Sequence, residues 1–372
     1  MINEGDYNFS RSDLLNRLKA AADWILRSHD ACGRTGSAGY YSSLSWLSGL
    51  KKWSRAYPET TGYIIPTLIS CGRQVGEPKY ADTAIDMAEW LLSLQKGEGW
   101  LPGGFFHGAG GTPSVFNTAQ IIKGFVAAYK YSGLDRFLDG SIKASLWLCR
   151  VQDPDGAWRH YAFRTGFSPS YYSEVCVPML LVWKIASDER LRICALKGLD
   201  YIIVKQKGNG VIADWGFLQD GWALTHTIGY AISGMLESSL ILGQEGQKFW
   251  ACGLKAAEAL LMLQESSGVL GGQYDETWKP SYRFVCLTGN AQIAQCWLAI
   301  YRKTGDPRFL KAAIAALDVI SKCQFMPKSP HCNHGGIPGS KPVWIGYMKF
   351  KYPNWAAKYY MDAIMELLDL PS

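Results

Sequence analysis

Glu59 and Glu174 each open a run of apolar residues, in YPETTGYIIPTL (57–68) and YYSEVCVPMLLVW (171–183). A pair of carboxyls can divide general-acid and general-base work, and their separation sets the stereochemistry of glycoside cleavage. The plainer reading is that each acid complements the positive end of its helix, worth about 0.3–1 kcal/mol. Tyr57, Tyr171, Tyr172 and Tyr352 sit at the same kind of boundary, as does His226 in LTHTIGYAISGML. A phenol or imidazole there suits transfer of a proton at C5 of a uronate, provided that cations or amides neutralise the sugar's carboxylate. Asn117, Asn290, Arg164 and Arg283 supply such groups. Glu59, Tyr171, Tyr172, Glu174 and His226 are therefore the candidate catalytic residues. Ring packing alone is the competing account of each tyrosine.

These residues need a scaffold that gathers them, and the sequence repeats. Helical segments end on a glutamine at Gln95, Gln152, Gln206, Gln264 and Gln324, spaced by 54–60 residues. That is the scale of a repeated helix pair. AADWILRSHD near the start reads as a sixth copy without the glutamine. The glutamine-ended helices are amphipathic: KYADTAIDMAEWLLSLQ lines up Tyr80, Ala84, Met87, Ala88, Leu91 and Leu94, with Asp82 and Asp86 off the stripe. A second set begins near residues 57, 115, 171, 224, 287 and 352 and carries little charge, as helices buried on every side do. Outer and inner helices in alternation predict an all-α fold, an (α/α)6 toroid spanning 1–372 as one domain.

Inner-to-outer turns read as about five to eight residues, ordinary for helix pairs, and the return connections as about 18–28, beyond that norm. All the long connections then fall on one face, together with the N-termini of the inner helices, which favour anions. Loops on a rigid scaffold are where function concentrates. Trp53, Arg55, Tyr57, Asn117, Trp222, Asn290, Tyr352, Asn354 and Trp355 lie at this mouth and join Arg34, Arg164 and Arg283 as candidate substrate contacts. Asp214 and Asp220 are further acids there, whereas Asp153 and Asp155 read as turn formers.

The net charge of +6 comes without the clustered Lys/Arg runs of a nucleic-acid binder. Arg34, Lys51, Lys52 and Arg55 in the first long loop, and Lys328, Lys341, Lys349, Lys351 and Lys358 near the last, have no acid between them. A closed ring makes these loops neighbours, so they predict a basic sector that attracts an anion. In SPHCNHGGIPGS, His331, Cys332 and His334 crowd together, but zinc needs three or four convergent ligands and one Gly/Pro-rich loop is a poor source of them. Its glycines read as tight-turn residues near the cavity. The sequence calls for no metal and no cofactor. The start lacks the pattern of a signal peptide, no apolar run approaches the roughly 20 residues that span a bilayer, and the ten cysteines show no framework spacing. The expectation is a reduced, cytoplasmic protein.

QDPDGAW (152–158) resembles the repeat motif of the squalene-hopene cyclase and prenyltransferase class of α/α toroids. LTGNAQIAQCWLAIYRKTGDPRFLKAAIAALDVI (287–320) resembles the hairpin of carbohydrate-active toroids such as glucuronyl C5-epimerases and N-acylglucosamine 2-epimerases. The second resemblance implies a carbohydrate-active toroid; the Tyr, Asn, Arg and Glu groups at the mouth and the basic sector point to an enzyme acting on an acidic polysaccharide or sugar, a lyase or epimerase by proton abstraction, in polysaccharide synthesis or turnover. A glycoside hydrolase using Glu59 and Glu174 is one alternative. A terpenoid-type cyclase, for which no D-x-D-D acid motif is present, and a non-catalytic glycan-binding protein are the others.

Overall fold

The computed structural model describes residues 9–44, 52–108, 110–328 and 332–370. The outer helices are α1 (Arg11–Ala31), α3 (Pro78–Leu94), α5 (Asp135–Arg150), α7 (Glu189–Ile203), α9 (Gln247–Leu263) and α11 (Pro307–Ser321). The inner ones are α2 (Pro58–Val75), α4 (Val115–Ser132), α6 (Ser173–Ala186), α8 (Thr225–Leu242), α10 (Leu287–Thr304) and α12 (Asn354–Leu368). Each inner helix packs on the next, and α12 closes onto α2, so the six hairpins form the expected (α/α)6 ring.

Burial follows the pattern of each set. On α3, Tyr80, Ala84, Met87, Ala88 and Leu91 are buried and Asp82 and Asp86 exposed. On α8 the buried positions run from Thr225 to Leu242 on nearly every side, and Glu237 is its one charged residue. Each large apolar side chain so buried contributes about 1.5–3 kcal/mol. Among the described residues no helix is long and apolar enough to cross a membrane.

The turns between inner and outer helices are tighter than expected: residues 76–77, 133–134, 187–188 and 305–306, with a short 3-10 turn at Gly243–Gly246. Three inner helices run up to a glycine in the left-handed region, which ends the helix within one residue. The long connections carry the only strands among the described residues, each two or three residues long. β1 (Tyr40–Ser42) pairs with β7 (Lys351–Pro353), so the first and last long loops are neighbours, as ring closure demands. β2 (Trp222–Leu224), β3 (Gln273–Asp275) and β4 (Pro280–Ser281) form one small sheet, and β5 (Val285–Cys286) pairs with β6 (Ser340–Lys341). Sequence periodicity gave no sign of these pairs, which are too short to alternate.

The repeated glutamine is a latch between neighbouring outer helices. Gln95 Nε2 donates to Gly99 O (3.1 Å) and to Gly140 O in α5 (2.8 Å). Gln152 does the same to Gly156 O and Cys194 O, Gln206 to Gly210 O and Cys252 O, and Gln264 to Gly268 O and Ala312 O. Gln324 closes the circle, donating to Gly335 O (3.3 Å) and to Arg17 O in α1 (3.0 Å). Both amide N–H groups are thus used at every copy. The sixth copy substitutes His29, whose Nδ1 lies 2.8 Å from Gly36 O. Gly335 therefore sits against α1 on the outer wall, not beside the cavity as its loop suggested.

Candidate active site

The residues at the inner-helix starts divide into two groups. One group ties the long loops down. Thr61 Oγ1 accepts from Ser37 N (2.9 Å) and Thr118 Oγ1 from Leu101 N (3.0 Å). Asn290, fully buried, donates to Cys286 O (2.9 Å) and accepts from Leu270 N (3.4 Å). Asn354, also fully buried, donates to Ser28, Ser37 and Ala38 O. These two asparagines anchor loops and do not reach an open site, which corrects their reading as substrate contacts. Asn290→Ala is expected to destabilise the fold by about 1–3 kcal/mol in denaturant titrations, because the Leu270 amide is left buried and unpaired. Activity of the folded fraction should not change.

The other group surrounds Glu59. Tyr57 Oη donates to Glu59 Oε2 at 3.0 Å. Asn117, with its amide nitrogen turned toward its acceptors, donates to the same Oε2 at 2.7 Å and accepts from Gly104 N at 3.1 Å. Both donors converge on Oε2, so the carboxyl proton belongs on Oε1, which has no hydrogen-bond partner among the described residues. Burial raises the Glu59 pKa from 4.5 to about 7, and the Tyr57 hydrogen bond only partly offsets it. Glu59 and Tyr57 remain half-buried, open to the space between the long loops.

A cage of aromatic side chains encloses this carboxyl. Phe116 contacts Tyr171, Tyr172 and Tyr230 with ring centroids 5.3–5.6 Å apart. Tyr57 packs on Phe105 (4.9 Å) and Trp355 (6.4 Å), and Tyr347 on Trp355 (6.4 Å). The phenols of Tyr57, Tyr63, Tyr171, Tyr172, Tyr230 and Tyr347 are all held above the ordinary value, by burial first and with the Glu59 carboxylate contributing to each. They stay protonated and serve as donors, not bases. Tyr172 is already engaged, its Oη accepting from Phe163 N at 2.9 Å.

His226 stands in the same cage, 4.6 Å from the Tyr230 ring and 5.4 Å from Tyr347. Its Nδ1 lies 2.6 Å from Gln292 Oε1. A carboxamide oxygen only accepts, so Nδ1 carries the proton and Nε2 the lone pair. Burial lowers the His226 pKa to about 4, against the Gln292 hydrogen bond and Glu174, so the imidazole is neutral. In Gln292→Glu the carboxylate facing Nδ1 is expected to raise this pKa by about 1–3. Histidine resonances followed by NMR against pH would show it, and an unmoved titration would mean that Gln292 does not govern His226.

Glu174 does not join Glu59. Helix α6 begins about level with the middle of its neighbours: Ser173 Oγ donates to Tyr230 O (3.3 Å) and Ala231 O (3.2 Å), and Gly234 admits the Ser173 backbone. Glu174 is therefore buried halfway through the ring, ion-paired to Lys123 and hydrogen-bonded by Ser233. Burial works against the Lys123 charge, yet Glu174 and Glu237 hold its pKa above the ordinary lysine value.

The remaining candidates lie around the rim or outside it. Arg34 is exposed and pairs with Asp86 on α3 (2.6 Å). Arg55 is exposed and bonds His107. Arg164 is exposed in a turn with Phe167. Trp53 packs on Trp24 (5.1 Å) and Tyr41 (5.2 Å), and Tyr352 faces Tyr41 across the β1–β7 pair. Trp222 is half-buried in β2, its N–H capped by Asp220 (3.1 Å), and Asp214 pairs with Lys205 (3.1 Å). Arg283 and Lys349 line a groove of about 390 Å³ that also contains Tyr347. The basic sector is thinner than expected, because Arg34 is paired, Lys351 stacks on Tyr40 (4.3 Å) and Lys358 pairs with Asp362 inside the ring (2.8 Å). Lys51 and His331 lie outside the described residues. Cys332 Sγ contacts Tyr41 Oη (3.0 Å), His334 O accepts from Arg27, and no group of three potential metal ligands occurs among the described residues.

No family model matches the chain, and no curated protein sequence matches it. Solved structures do share its architecture. An unsaturated glucuronyl hydrolase from a Bacillus species, described as responsible for glycosaminoglycan degradation, superposes with a TM-score of 0.74 at 16% identity, covering 95% of this chain and 96% of that one. A cellobiose 2-epimerase from Bacillus thermoamylovorans gives 0.74 at 13% identity over 96% and 99%. A polysaccharide lyase gives 0.65 at 11% over 95% and 99%. The chain is an (α/α)6 toroid of the architecture these carbohydrate-active enzymes share.

Proposed function

We propose that this protein is a carbohydrate-active enzyme that transfers a proton at a ring carbon of an acidic, uronate-type sugar, using Glu59 as the acid–base residue. The observation that carries the reading is a single carboxyl with a pKa raised to about 7, held by two donors on one oxygen and open at the other. His226, neutral with its pKa lowered to about 4, stands in the same tyrosine cage. Two titratable groups pushed apart by their surroundings are a marker of acid–base assignment: near pH 6, Glu59 is the proton donor and His226 Nε2 a base. Inner-helix N-termini and the cations of Arg283 and Lys349 beside Tyr347, which have no ion-pair partner among the described residues, favour an anionic ligand on this face.

Conventional glycoside cleavage needs two carboxyls flanking the bond, and Glu174 faces elsewhere. Proton transfer at carbon needs one acid–base pair, so lyase, epimerase or hydrolysis of an unsaturated uronide fits better than a paired-carboxylate hydrolase. The neighbours named above carry out chemistry of these kinds. The test is incubation with acidic polysaccharides and with unsaturated uronyl disaccharides in heavy water. A rise in unsaturated-uronate absorbance identifies a lyase, a fall a hydrolase of the unsaturated unit, and deuterium uptake without either an epimerase. None of the three, across the panel, rejects the reading.

A further inference from the structure

A groove of about 390 Å³ adjoins the cage on the long-loop face, close to the lower end of the size range of small-molecule sites. One wall is Gln273, Ser281, Arg283 and Phe284, from the connection between α9 and α10. The other is residues 345–349, from the connection between α11 and α12. Tyr347 belongs to the groove and to the cage, its ring 5.4 Å from His226 and 6.4 Å from Trp355. The groove therefore begins where the cage ends.

Its walls are fixed without help from the polar side chains that line it. Pairing of β5 with β6 joins the two connections. Phe284 is buried and gripped between two glycines: a Cβ on Gly272 would fall 2.4 Å from its ring, and one on Gly346 2.2 Å. On the other wall Lys349 stands between Met348 (φ 54°) and Phe350 (φ 57°), both in the left-handed region that residues with side chains disfavour. Backbone bonds hold that turn: Phe350 N donates to Val343 O (2.8 Å), Lys351 N to Met348 O (3.0 Å) and Ser43 N to Phe350 O (2.9 Å). Backbone strain of this kind persists only where the surroundings impose it, and it gathers at ligand sites.

The cations of this groove are left over. Arg136, Arg159, Arg190, Arg192 and Arg308 are each ion-paired, and Lys351 lies over the Tyr40 ring. The side chains of Arg283 and Lys349 have no ion pair and no hydrogen bond among the described residues, and the same holds for Gln273 and Ser281. None of the residues lining the groove is acidic. A guanidinium offers a planar fork that matches a carboxylate or a sulfate, and a lysine adds a point charge. Phe284, Ile345 and Met348 supply apolar surface, so the lining as a whole is apolar with a few polar groups, as ligand sites are.

We propose that this groove is a subsite for a second anionic group, a carboxylate or a sulfate ester on the sugar next to the reacting uronate, held by Arg283 and Lys349. Gln273 and Ser281 supply hydrogen bonds to the hydroxyls of that sugar. The inference rests on the proposed sugar chemistry at Glu59 and adds the form of the substrate: a glycan with charge on two adjoining units, not a lone uronate. Tyr347 sets the spacing, because one ring separates the cage from the groove.

Calorimetric titration of Glu59→Gln, which keeps the cage while turnover is suppressed, tests it with three unsaturated uronyl disaccharides. In one the second sugar is neutral, in one it carries a sulfate, and in one it is itself a uronate. At least one charged disaccharide is expected to bind ten-fold or more tightly than the neutral one, and the one preferred names the anion. Adding Arg283→Ala or Lys349→Ala should cut that preference to three-fold or less, with melting temperatures showing the proteins folded. Lys311→Ala, on outer helix α11, should keep it. Equal affinity for all three disaccharides, or a preference that survives in the folded Arg283→Ala and Lys349→Ala proteins, would overturn the subsite and leave the reading of Glu59 standing. Absence of binding by all three at millimolar concentration also overturns the subsite, and the sugar reading falls with it only if the parent protein is silent across the panel described above.

Discussion

Glu59→Gln is expected to lower turnover of the acidic-sugar substrate by about 10²–10⁴-fold, the usual contribution of a positioned acid–base group, and to make the protein more stable above neutral pH. The first effect follows from geometry. A glutamine accepts the Tyr57 and Asn117 hydrogen bonds through its carbonyl, so the cage is kept while the transferable proton on Oε1 is lost. The second follows from burial, which moves the Glu59 pKa from 4.5 to about 7. Below pH 4.5 the carboxyl is protonated whether the chain is folded or not. Between 4.5 and 7 the folded protein keeps a proton that the unfolded chain has released, so stability declines as pH rises. Above 7 the full cost of a charged, confined carboxylate is present, about 1–3 kcal/mol after allowing for its partial contact with solvent. The variant escapes that cost. Thermal unfolding at pH 5 and pH 8 should show a stabilisation at pH 8 that shrinks at pH 5. Turnover within ten-fold of the parent would remove Glu59 from the chemistry, and an equal gain at both pH values would mean that charge burial is not its source.

Much of the cage was legible as spacing. Tyr63 follows Glu59 by four residues, Tyr230 follows His226 by four and Tyr359 follows Trp355 by four, so each second residue lies one turn deeper on the inward face of the same helix. Reading only the first polar residue of each inner helix found Glu59, Tyr57, Asn117 and His226 and passed over the second layer. Gln292, two residues beyond Asn290, was missed because an amide inside an apolar helix gives no period of its own. Tyr347 comes from an irregular stretch of the last long loop, where no pattern points inward. Glu174 was misplaced because YYSE looks like the other helix starts. What lowers it is the contact of Ser173 with α8, which exists only because residue 234 is glycine and has no Cβ to obstruct it. A one-residue steric allowance on one helix thus sets the depth of another, and no local pattern in the second reports it. Asn290 and Asn354 failed as ligands for the opposite reason. Their polarity is consumed by backbone groups of the long loops, which need partners once they are buried.

The five glutamine latches are chemically alike, but they are not equivalent, and the difference is testable. Gln95, Gln152, Gln206 and Gln264 join outer helices that the chain already connects through the intervening hairpins, whereas Gln324 joins α11 to α1 at the ring's seam. Gly335, its partner, has φ +84° and lies so close to α1 that a Cβ would fall inside the contact radius of the Ala20 carbonyl. Gly335→Ala therefore combines a left-handed backbone, costing about 1–2 kcal/mol for a residue with a side chain, with a clash that only a shift of α1 can relieve. A loss of about 3 kcal/mol or more is expected from denaturant titration, against little change for Gly97→Ala, where nothing lies within 4 Å. Activity should separate the latches further. The cage is built across the seam, with Tyr57 and Glu59 on one side and Trp355 and Tyr347 on the other. Gln324→Leu and Gln206→Leu each remove two hydrogen bonds and should cost similar stability, about 1–3 kcal/mol. Only Gln324→Leu should also depress turnover at temperatures where both proteins remain folded, because only there can the two halves of the cage part. Equal turnover in the two variants would mean that the β1–β7 pair and the inner ring hold the seam without the latch.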